Sequence, residues 1–389
     1  MSGTGAMASR GTDWVRKRRW WLLGGFALFA VVAIGAAVSW HFSSAVLVPH
    51  HDNWPEDVTV VALEPGRIVL SRSEESERPG VYGLDWQAGH AVVGPVLRSD
   101  SDSVTRRLRS VSGYLARGMD VAIDSKTYSG DPGQALGLPF SDVRVPGELG
   151  PMPAWEVPGS TEMWAIIVHG INDNPQTGLR IVPALHRAGL TSLLITYRED
   201  LGAPSSPDGL HHMGLTEWRD LEAAARYALD HGARYLVLVG YSMGGSLVTQ
   251  FIQHSSLTPR VVGLVLDAPV LDWKETISFN ATEMGLPSFS TTPVEWAIGA
   301  RIDADWDDLD ALQHTDDFSQ IPVLLFHGGE DDVVPISTSE ELAEALPGWA
   351  TLYRSPRAGH TEAWNVNPPL YEERLTAFLS ALGPPTALP

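Results

Sequence analysis

A glycine-rich pattern around one serine can build a catalytic nucleophile. Residues 236–245 read Leu-Val-Leu-Val-Gly-Tyr-Ser-Met-Gly-Gly, which places Ser242 in a G-x-S-x-G pattern between a strand-like run and a helix-like run, Ser246–His254. Glycines at this junction permit the tight turn that lifts a serine hydroxyl above a sheet. The chain has no cysteine, which excludes a thiolate nucleophile, disulfides and cysteine-bound zinc. The pattern therefore predicts Ser242 as a nucleophile, with a simple helix cap as the alternative.

A serine nucleophile needs a general base and an acid that orients the base, and both are available downstream. Asp331 and His360 each follow an apolar strand-like run, 89 and 118 residues after Ser242. The order serine, acid, histidine is the one that follows a nucleophile of the G-x-S-x-G type. Asp331 and His360 are therefore candidates for the acid and the general base. Asp332 is the neighbouring alternative for the acid, and Asp267, at the end of another apolar run, is a third.

These motifs resemble those of the α/β-hydrolase superfamily. The sequence His327-Gly-Gly-Glu-Asp-Asp-Val-Val-Pro335 matches the H-G-x-x-D-x-x-V-P pattern around the acid of that superfamily, and Gly359-His360 precedes the last helix-like run. The resemblance extends from about Ser141 to Leu382. It implies that Asp331 is the acid and His360 the general base. It also implies a mostly parallel central sheet with an inserted cap, and hydrolysis through an acyl-enzyme without metal or organic cofactor. The N-terminal anchor and short cap resemble the membrane-tethered serine hydrolases of the serine aminopeptidase-like type.

The resemblance also implies two backbone donors for the oxyanion that develops during acyl transfer. One is the amide after the nucleophile, here Met243, and the other is an amide of the loop after the third strand, here Ile171. Each such donor contributes roughly 3–4 kcal/mol to transition-state stabilisation. In the same loop, Asn172 or Asp173 is a candidate for contact with substrate, and His169 with its following glycine is a candidate for turn support.

The elements that must position these residues alternate between apolar runs and amphipathic patterns, which is typical of a mostly parallel sheet covered on both faces. Asn174 followed by proline predicts the start of a helix that runs toward Arg187. Tyr197–Gly214 is a long connection and therefore a candidate for function. The insertion Leu271–Ser319 is rich in aromatic residues and predicts a cap, whose aromatic residues either form its own small core or line a substrate pocket.

The N-terminal region predicts a membrane anchor. Residues 1–40 carry a net charge of +4, and the run Trp20–Trp40 is uncharged over 21 residues, long enough to span roughly 31 Å as a helix. Basic residues before the run favour a cytoplasmic N-terminus and an extracytoplasmic catalytic domain. A cleaved signal peptide, with Ala37-Val38-Ser39 as the cleavage site, is the alternative.

Between the anchor and the hydrolase-like region, strand-like runs are separated by turn residues. Val58–Leu63 and Arg67–Ser71 flank Glu64-Pro65-Gly66, which predicts a hairpin in a β-rich region of undetermined fold. Thr127–Leu138 has the composition of a loop. The predicted organisation is a basic cytoplasmic tail (1–19), a transmembrane helix (20–40), a membrane-proximal β-rich region (41–140), a hydrolase domain (141–384) with a cap insertion (271–319), and a tail (385–389).

Charge and motifs together limit the function. A formal net charge of −20 and a pI near 4.9 argue against nucleic acid as a partner. His211-His212 does not form a metal-ligand set, so we expect neither a metal nor a cofactor. The predicted function is a serine hydrolase that cleaves a carboxylic ester or thioester in a small acyl substrate. The alternatives are an acyltransferase or a serine peptidase on the same triad, and a non-catalytic cell-surface binding protein on a hydrolase scaffold.

Overall fold

The computed structural model describes residues 33–51 and 56–383, together with Trp21 and Phe29. In this part of the chain, no helix is both long enough and apolar enough to cross a membrane. The predicted basic tail and C-terminal tail lie outside the described residues, as does most of the predicted transmembrane run Trp20–Trp40. That prediction and its orientation therefore stay predictions.

A helix over residues 33–47 (α1) packs against the rest of the chain at its C-terminal end. Leu47 is completely buried in the main core, and Ser43, one turn earlier, is buried as well. The Arg301 guanidinium donates to the Ser43 hydroxyl at 2.8 Å and lies 4.3 Å from the centre of the Trp40 ring. The helix is thus fixed to the inserted segment that contains Arg301.

The β-rich region is a closed six-stranded antiparallel barrel. Its strands are β1 (Val58–Glu64), β2 (Arg67–Ser71), β3 (Tyr82–Trp86), β4 (Gly89–Ser99), β5 (Ser103–Gly113) and β6 (Asp120–Asp124), in the order β1-β2-β5-β4-β3-β6, with a short helix α2 (Glu74–Glu77). The predicted hairpin is confirmed: β1 pairs with β2 through the turn Pro65-Gly66, where Gly66 has φ +70° as the third residue of a type II turn requires. Alternating residues such as Val58, Val60 and Ile68 fill the barrel.

The second region is an eight-stranded sheet that is mostly parallel. Its strands are β7 (Ser141–Pro146), β8 (Pro151–Val157), β9 (Met163–Val168), β10 (Thr191–Ile195), β11 (Tyr235–Tyr241), β12 (Val261–Asp267), β13 (Val323–Gly328) and β14 (Ala350–Ser355), in the order β14-β13-β12-β11-β9-β10-β8-β7. The strands from β14 to β10 run parallel, whereas β8 and β7 pair in antiparallel fashion at one edge. The carboxyl ends of the parallel strands therefore meet at one edge of the layer.

Helices cover both faces of this sheet, as the two-sided apolar pattern predicts. The helices are α3 (Pro132–Leu136), α4 (Val182–Arg187), α5 (Trp218–Asp230), α6 (Met243–His254), α7 (Trp273–Glu283), α8 (Thr291–Ile302), α9 (Ile336–Ala345), α10 (Ala363–Val366) and α11 (Pro368–Ala381). Within β11, Leu236 and Leu238 join the core under α5 and α6, whereas Val237 and Val239 join the core under α4 and α11. Successive residues of β11 therefore pack into the cores on opposite faces of the sheet.

Two local predictions need correction. The helix predicted from Asn174 to Arg187 is divided into a 3-10 turn, Pro175–Arg180, and α4, although the Asn174 side chain does cap it by accepting from the Gln176 amide at 3.0 Å. The loop predicted over Thr127–Leu138 contains the short helix α3, which the Asp131 side chain caps.

The insertion between β12 and β13 consists of α7, α8 and two 3-10 turns, Ser288–Ser290 and Ala311–Phe318. Trp273 is buried at its base and donates through Nε1 to the Met213 carbonyl at 2.9 Å. Phe289 and Trp296, by contrast, are 78% and 79% exposed. For these two side chains the interpretation as a cap core is wrong, because they face solvent.

Candidate functional site

The predicted nucleophile lies at the turn between β11 and α6. Ser242 has φ 51° and ψ −120°, a conformation that a non-glycine residue adopts only under constraint from its surroundings. A Cβ on Gly244 would lie 2.4 Å from the Val168 carbonyl oxygen, and a Cβ on Gly240 would lie 2.6 Å from that of Gly244. The glycines of the motif therefore let α6 approach β9 closely. Because the Ser242 side chain makes no cap hydrogen bond to α6, the helix-cap alternative is not supported.

The structure brings Ser242, His360 and Asp331 into one hydrogen-bonded series. His360 Nε2 lies 2.8 Å from Ser242 Oγ, and His360 Nδ1 lies 2.9 Å from Asp331 Oδ2. Asp331 follows β13 and His360 follows β14, so all three residues lie beyond the carboxyl ends of parallel strands. This edge is where open α/β sheets form their ligand crevices.

Asp331 is held as a buried carboxylate by several donors. Its Oδ1 accepts from the amides of Val333 and Val334 at 2.9 and 2.8 Å, and its Oδ2 lies 3.4 Å from His327 Nε2. Burial acts to raise the pKa of Asp331, but His360, His327 and the Val334 amide outweigh it and hold this pKa well below its usual range. The group is therefore a carboxylate at neutral pH.

The alternatives for the acid are placed differently. Asp332 is exposed, and no hydrogen bond joins it to His360 in the described part of the chain. Asp267 is completely buried at the end of β12, and burial raises its pKa to about 6. No hydrogen bond joins Asp267 to His360 in the described residues, and its carboxyl group interacts with the Tyr371 hydroxyl and the Arg180 charge instead. The geometry thus supports Asp331 over both.

The surroundings of His360 favour the charged form of its ring. Burial acts to lower the pKa of His360, but the charge and hydrogen bond of Asp331 outweigh it, with smaller contributions from Asp267 and Asp332. The net result is a pKa above the ordinary value for histidine. Such a ring stabilises the proton that it would take from Ser242.

The two predicted oxyanion donors flank the nucleophile. Met243 is the first residue of α6, so its amide has no acceptor within the helix. In the part of the chain that the structure describes, neither the Met243 nor the Ile171 amide donates to a protein acceptor. The Ile171 loop lies beside the nucleophile, since a Cβ on Gly170 would come within 3.0 Å of the Ser242 Cβ. Both amides are therefore free to bind a ligand oxygen.

A buried network fixes the direction of the Ile171 amide. The Gly170 carbonyl, in the same peptide group, accepts from the Tyr197 hydroxyl at 2.7 Å and from His169 Nδ1 at 2.9 Å. The peptide is trans, so the Ile171 N–H points away from those donors. The residue pattern predicted only turn support for His169 and gave no signal for Tyr197, because the role of Tyr197 depends on a contact 27 residues away.

His169 itself is held between two acceptors. Its Nε2 lies 2.9 Å from Asp200 Oδ2, and its Nδ1 faces the Gly170 carbonyl, so both hydrogen bonds form together only when both nitrogens carry protons. Burial disfavours that charge, but Asp200 outweighs burial and raises the pKa of His169. The two acceptors and the raised pKa both favour the charged form of this buried ring, beside the candidate oxyanion hole.

The other candidate contacts have protein partners. Asn172 Oδ1 accepts from the His50 amide at 2.9 Å and lies 3.2 Å from His211 Nε2, and Asp173 hydrogen-bonds to Thr177. These side chains are therefore occupied within the protein, which weakens the hypothesis that they contact substrate. In the described residues, no group of three or more His, Cys, Asp or Glu side chains could hold a metal ion.

The comparisons with known proteins agree with this architecture. The chain has the α/β-hydrolase fold. The Pyrococcus furiosus esterase Pf2001, in two crystal forms, superposes with a TM-score of 0.53 at 18% and 19% identity, over 66% of this chain and 96% and 97% of that chain. At this identity the likeness shows the fold alone.

Sequence comparison adds two matched segments. Residues 206–381 match the model of the Prolyl oligopeptidase family, a segment that contains Ser242, Asp331 and His360 but less than half of the chain. Residues 59–124, almost the entire barrel, match a domain of unknown function, DUF8805. No curated protein matches the chain in sequence.

Proposed function

We propose that this protein is a serine hydrolase that cleaves carboxylic esters through Ser242, His360 and Asp331. The observation that carries the proposal is the continuous hydrogen-bonded series from Ser242 Oγ through the His360 ring to the Asp331 carboxylate. The α/β-hydrolase fold and the match to a hydrolase family model support the same class. Serine, histidine and acid in this geometry perform acyl transfer on unrelated folds as well.

The proposed mechanism begins when His360 Nε2 takes the Ser242 proton as Oγ attacks the ester carbonyl. The Asp331 carboxylate stabilises the resulting imidazolium, and the amides of Met243 and Ile171 bind the oxyanion. His360 then protonates the departing alcohol, which leaves an acyl-enzyme. Water repeats the cycle through the same groups and releases the acid.

The proposed substrate is a neutral acyl ester of small size. The chain is strongly acidic, so anionic substrates are repelled over a Debye length of about 8 Å at physiological salt. Thioesters fit the same chemistry. A serine peptidase is the second candidate, and the match to the Prolyl oligopeptidase family model is the observation that favours it.

Two measurements test the proposal. Labelling by a fluorophosphonate probe should occur at Ser242, and its absence in a folded protein would favour the non-catalytic scaffold. kcat/KM across a p-nitrophenyl ester series should exceed that across a matched panel of peptide p-nitroanilides. Faster amide cleavage would make the protein a peptidase, and a transfer rate to added alcohols above the hydrolysis rate would make it an acyltransferase.

We also propose that the N-terminal run Trp20–Trp40 anchors the protein in the cell membrane with the catalytic domain outside. The uncharged length of the run and the preceding basic residues support this proposal. Protease added to intact cells should digest the catalytic domain, and release of full-length protein from membranes should need detergent. A soluble mature chain that begins near Trp40 would show signal cleavage instead.

A further inference from the structure

The barrel contacts the loop that carries His360 through the buried side chain of Glu362. Glu362, two residues after His360, accepts from Arg78 Nη1 at 2.9 Å through Oε1 and from the Tyr82 hydroxyl at 3.1 Å through Oε2. Tyr82 is the first residue of β3, and Arg78 lies in the segment of the barrel region that joins α2 to β3. Glu362 Oε2 also accepts from the Gly359 amide at 3.3 Å. One side chain thus joins the barrel to the backbone on the other side of His360.

A second contact joins the same two segments through their main chains. The Val81 amide donates to the Asn365 carbonyl at 2.9 Å, and Asn365 Nδ2 donates to the Val81 carbonyl at 2.8 Å. A Cβ on Gly80 would lie only 2.0 Å from the Asn365 carbonyl oxygen, so the two backbones are in close contact. The turn after His360 therefore has little freedom to move against β3.

The barrel holds its own side of this contact rigidly. Arg106 is completely buried and donates to the carbonyls of Ser76, Arg78 and Gly80 at 3.0, 2.8 and 2.9 Å, and to that of Gly94 at 3.0 Å. Three of these acceptors lie in the segment that presents Arg78 and leads into β3. Charged donors make strong hydrogen bonds to backbone carbonyls, so this segment is fixed from inside the barrel.

The loop that carries His360 depends on external support. Thr361 has φ +54°, which places a threonine in the left-handed region. A β-branched residue is strained there and stays only where its surroundings hold it. A shift of about 1 Å in a reacting group can lower a rate by about two orders of magnitude, so the position of this loop affects catalysis directly.

We propose that the barrel positions the general base: Arg78 and Tyr82 hold Glu362, and Glu362 holds the turn Gly359–Glu362 in the conformation that directs His360 toward Ser242. This inference rests on the proposed function, because it gives His360 the role of base. Arg78, Tyr82 and Glu362 are positioning residues, since they act through His360 and not on the substrate. The barrel is then an integral part of the active site.

The test uses full-length protein and the variants Tyr82→Phe, Glu362→Gln and their combination. Tyr82→Phe removes one hydroxyl and keeps the ring, so we expect kcat for ester hydrolysis to fall about 5-fold and Glu362→Gln to lower it about 30-fold, with KM within twofold in both. The double variant should be no slower than Glu362→Gln alone, because the Tyr82 hydroxyl acts through Glu362. Fluorophosphonate labelling rates should fall in parallel.

A second pair of variants keeps the test independent of folding defects. Arg78 is partly exposed at 39%, so Arg78→Met should fold; it should lower kcat about 5-fold, and Arg78→Lys should recover most of the loss because it keeps a charged donor. Arg98→Met is the matched control: Arg98, on β4, pairs with exposed Asp100, and its loss should leave kcat unchanged.

The possible failures are distinguishable. If wild-type protein labels at Ser242 but the variants keep wild-type kcat, or if the Tyr82→Phe and Glu362→Gln losses multiply, the positioning proposal is overturned and the hydrolase stands. If losses appear only in KM, the barrel acts on substrate binding and the proposal is equally wrong. If folded wild-type protein neither labels nor turns over, the proposed function fails and the positioning proposal fails with it.

Discussion

The barrel and the open sheet of this protein differ in whether their strand ends can form a site. The barrel closes on itself, so its strands have no free edge and no shared carboxyl end at which a crevice could form. The open sheet collects its parallel strand ends at one edge, and the candidate triad lies there. Chemistry therefore concentrates in one region, whereas the other provides rigid structure.

Arg106 in the barrel and Arg180 in the open-sheet region are both completely buried, and their partners differ. Arg106 bonds four carbonyls within the barrel and lies 5.3 Å from the centre of the Tyr82 ring. Arg180, beside Tyr241 at 5.2 Å, bonds the Thr361 carbonyl of the His360 loop as well as Asn365. The first arginine organises its own domain, and the second also holds the loop of the active site. The division between structure and chemistry is thus incomplete at the contact between the regions.

The largest expected effect concerns the candidate nucleophile of the open-sheet region. Ser242→Ala should lower kcat by a factor of about 10⁴ or more and abolish fluorophosphonate labelling, because it removes the attacking oxygen. The melting temperature should stay close to that of wild-type protein, since the change removes one hydroxyl and no core volume. Labelling that persists in this variant would remove Ser242 from the mechanism.

The next largest effect on kcat is expected at Asp331, and its neighbour Asp332 serves for comparison. Asp331→Asn should lower kcat about 10⁴-fold, because an amide cannot stabilise the imidazolium and favours the wrong ring tautomer. Asp332→Asn is the matched control, and it should change kcat less than threefold, since exposed charges interact weakly. The reverse ranking in steady-state assays would identify Asp332 as the acid.

Arg106 and Arg180 give the third prediction. Arg106→Met and Arg180→Met should each lower the free energy of unfolding by about 3 kcal/mol, because several buried carbonyls lose their donor. Only Arg180→Met removes a bond to the His360 loop directly, so it should lower kcat further at temperatures where both variants are folded. Denaturant titration and kcat at 15 °C distinguish the two effects. Equal kcat values would contradict the assignment of Arg180 to the loop.

The pH dependence is a smaller effect. His360 acts as a base only when neutral, so kcat/KM should rise with pH through the raised pKa of His360 and level off above it. The acid midpoint should therefore lie above the ordinary histidine value of about 6.5. In Asp331→Asn, burial remains while the carboxylate is lost, so the midpoint of the residual activity should move to lower pH. A midpoint that stays fixed would show that another group titrates.

The smallest effects are expected at exposed aromatic residues of the two regions. Trp296→Ser in α8 of the insertion and Tyr114→Ser after β5 of the barrel, at 79% and 77% exposure, should each change the free energy of unfolding by less than about 0.5 kcal/mol. Neither should change kcat for soluble esters. A large loss of ester activity in Trp296→Ser would instead indicate that the insertion forms a wall of the substrate pocket.

Much of the catalytic region follows from local sequence. The G-x-S-x-G pattern has its own steric requirements, and Asp331 and His360 each follow a buried apolar strand, so their meeting at one sheet edge follows from parallel topology. The hairpin β1–β2 was likewise predictable, because the turn Pro65-Gly66 specifies its geometry within four residues. In each case the information lies in a short stretch of chain.

Tertiary structure alone decided the remaining features. The barrel closes through the pairing of β1 with β6, which no local pattern specifies. The bond from Arg78 to Glu362 joins residues 284 positions apart, and the raised pKa of His169 depends on Asp200, 31 positions away. A buried charge is stable only where partners converge from distant segments. The sequence therefore specified which groups could react, and the packing of distant segments decided how they are held.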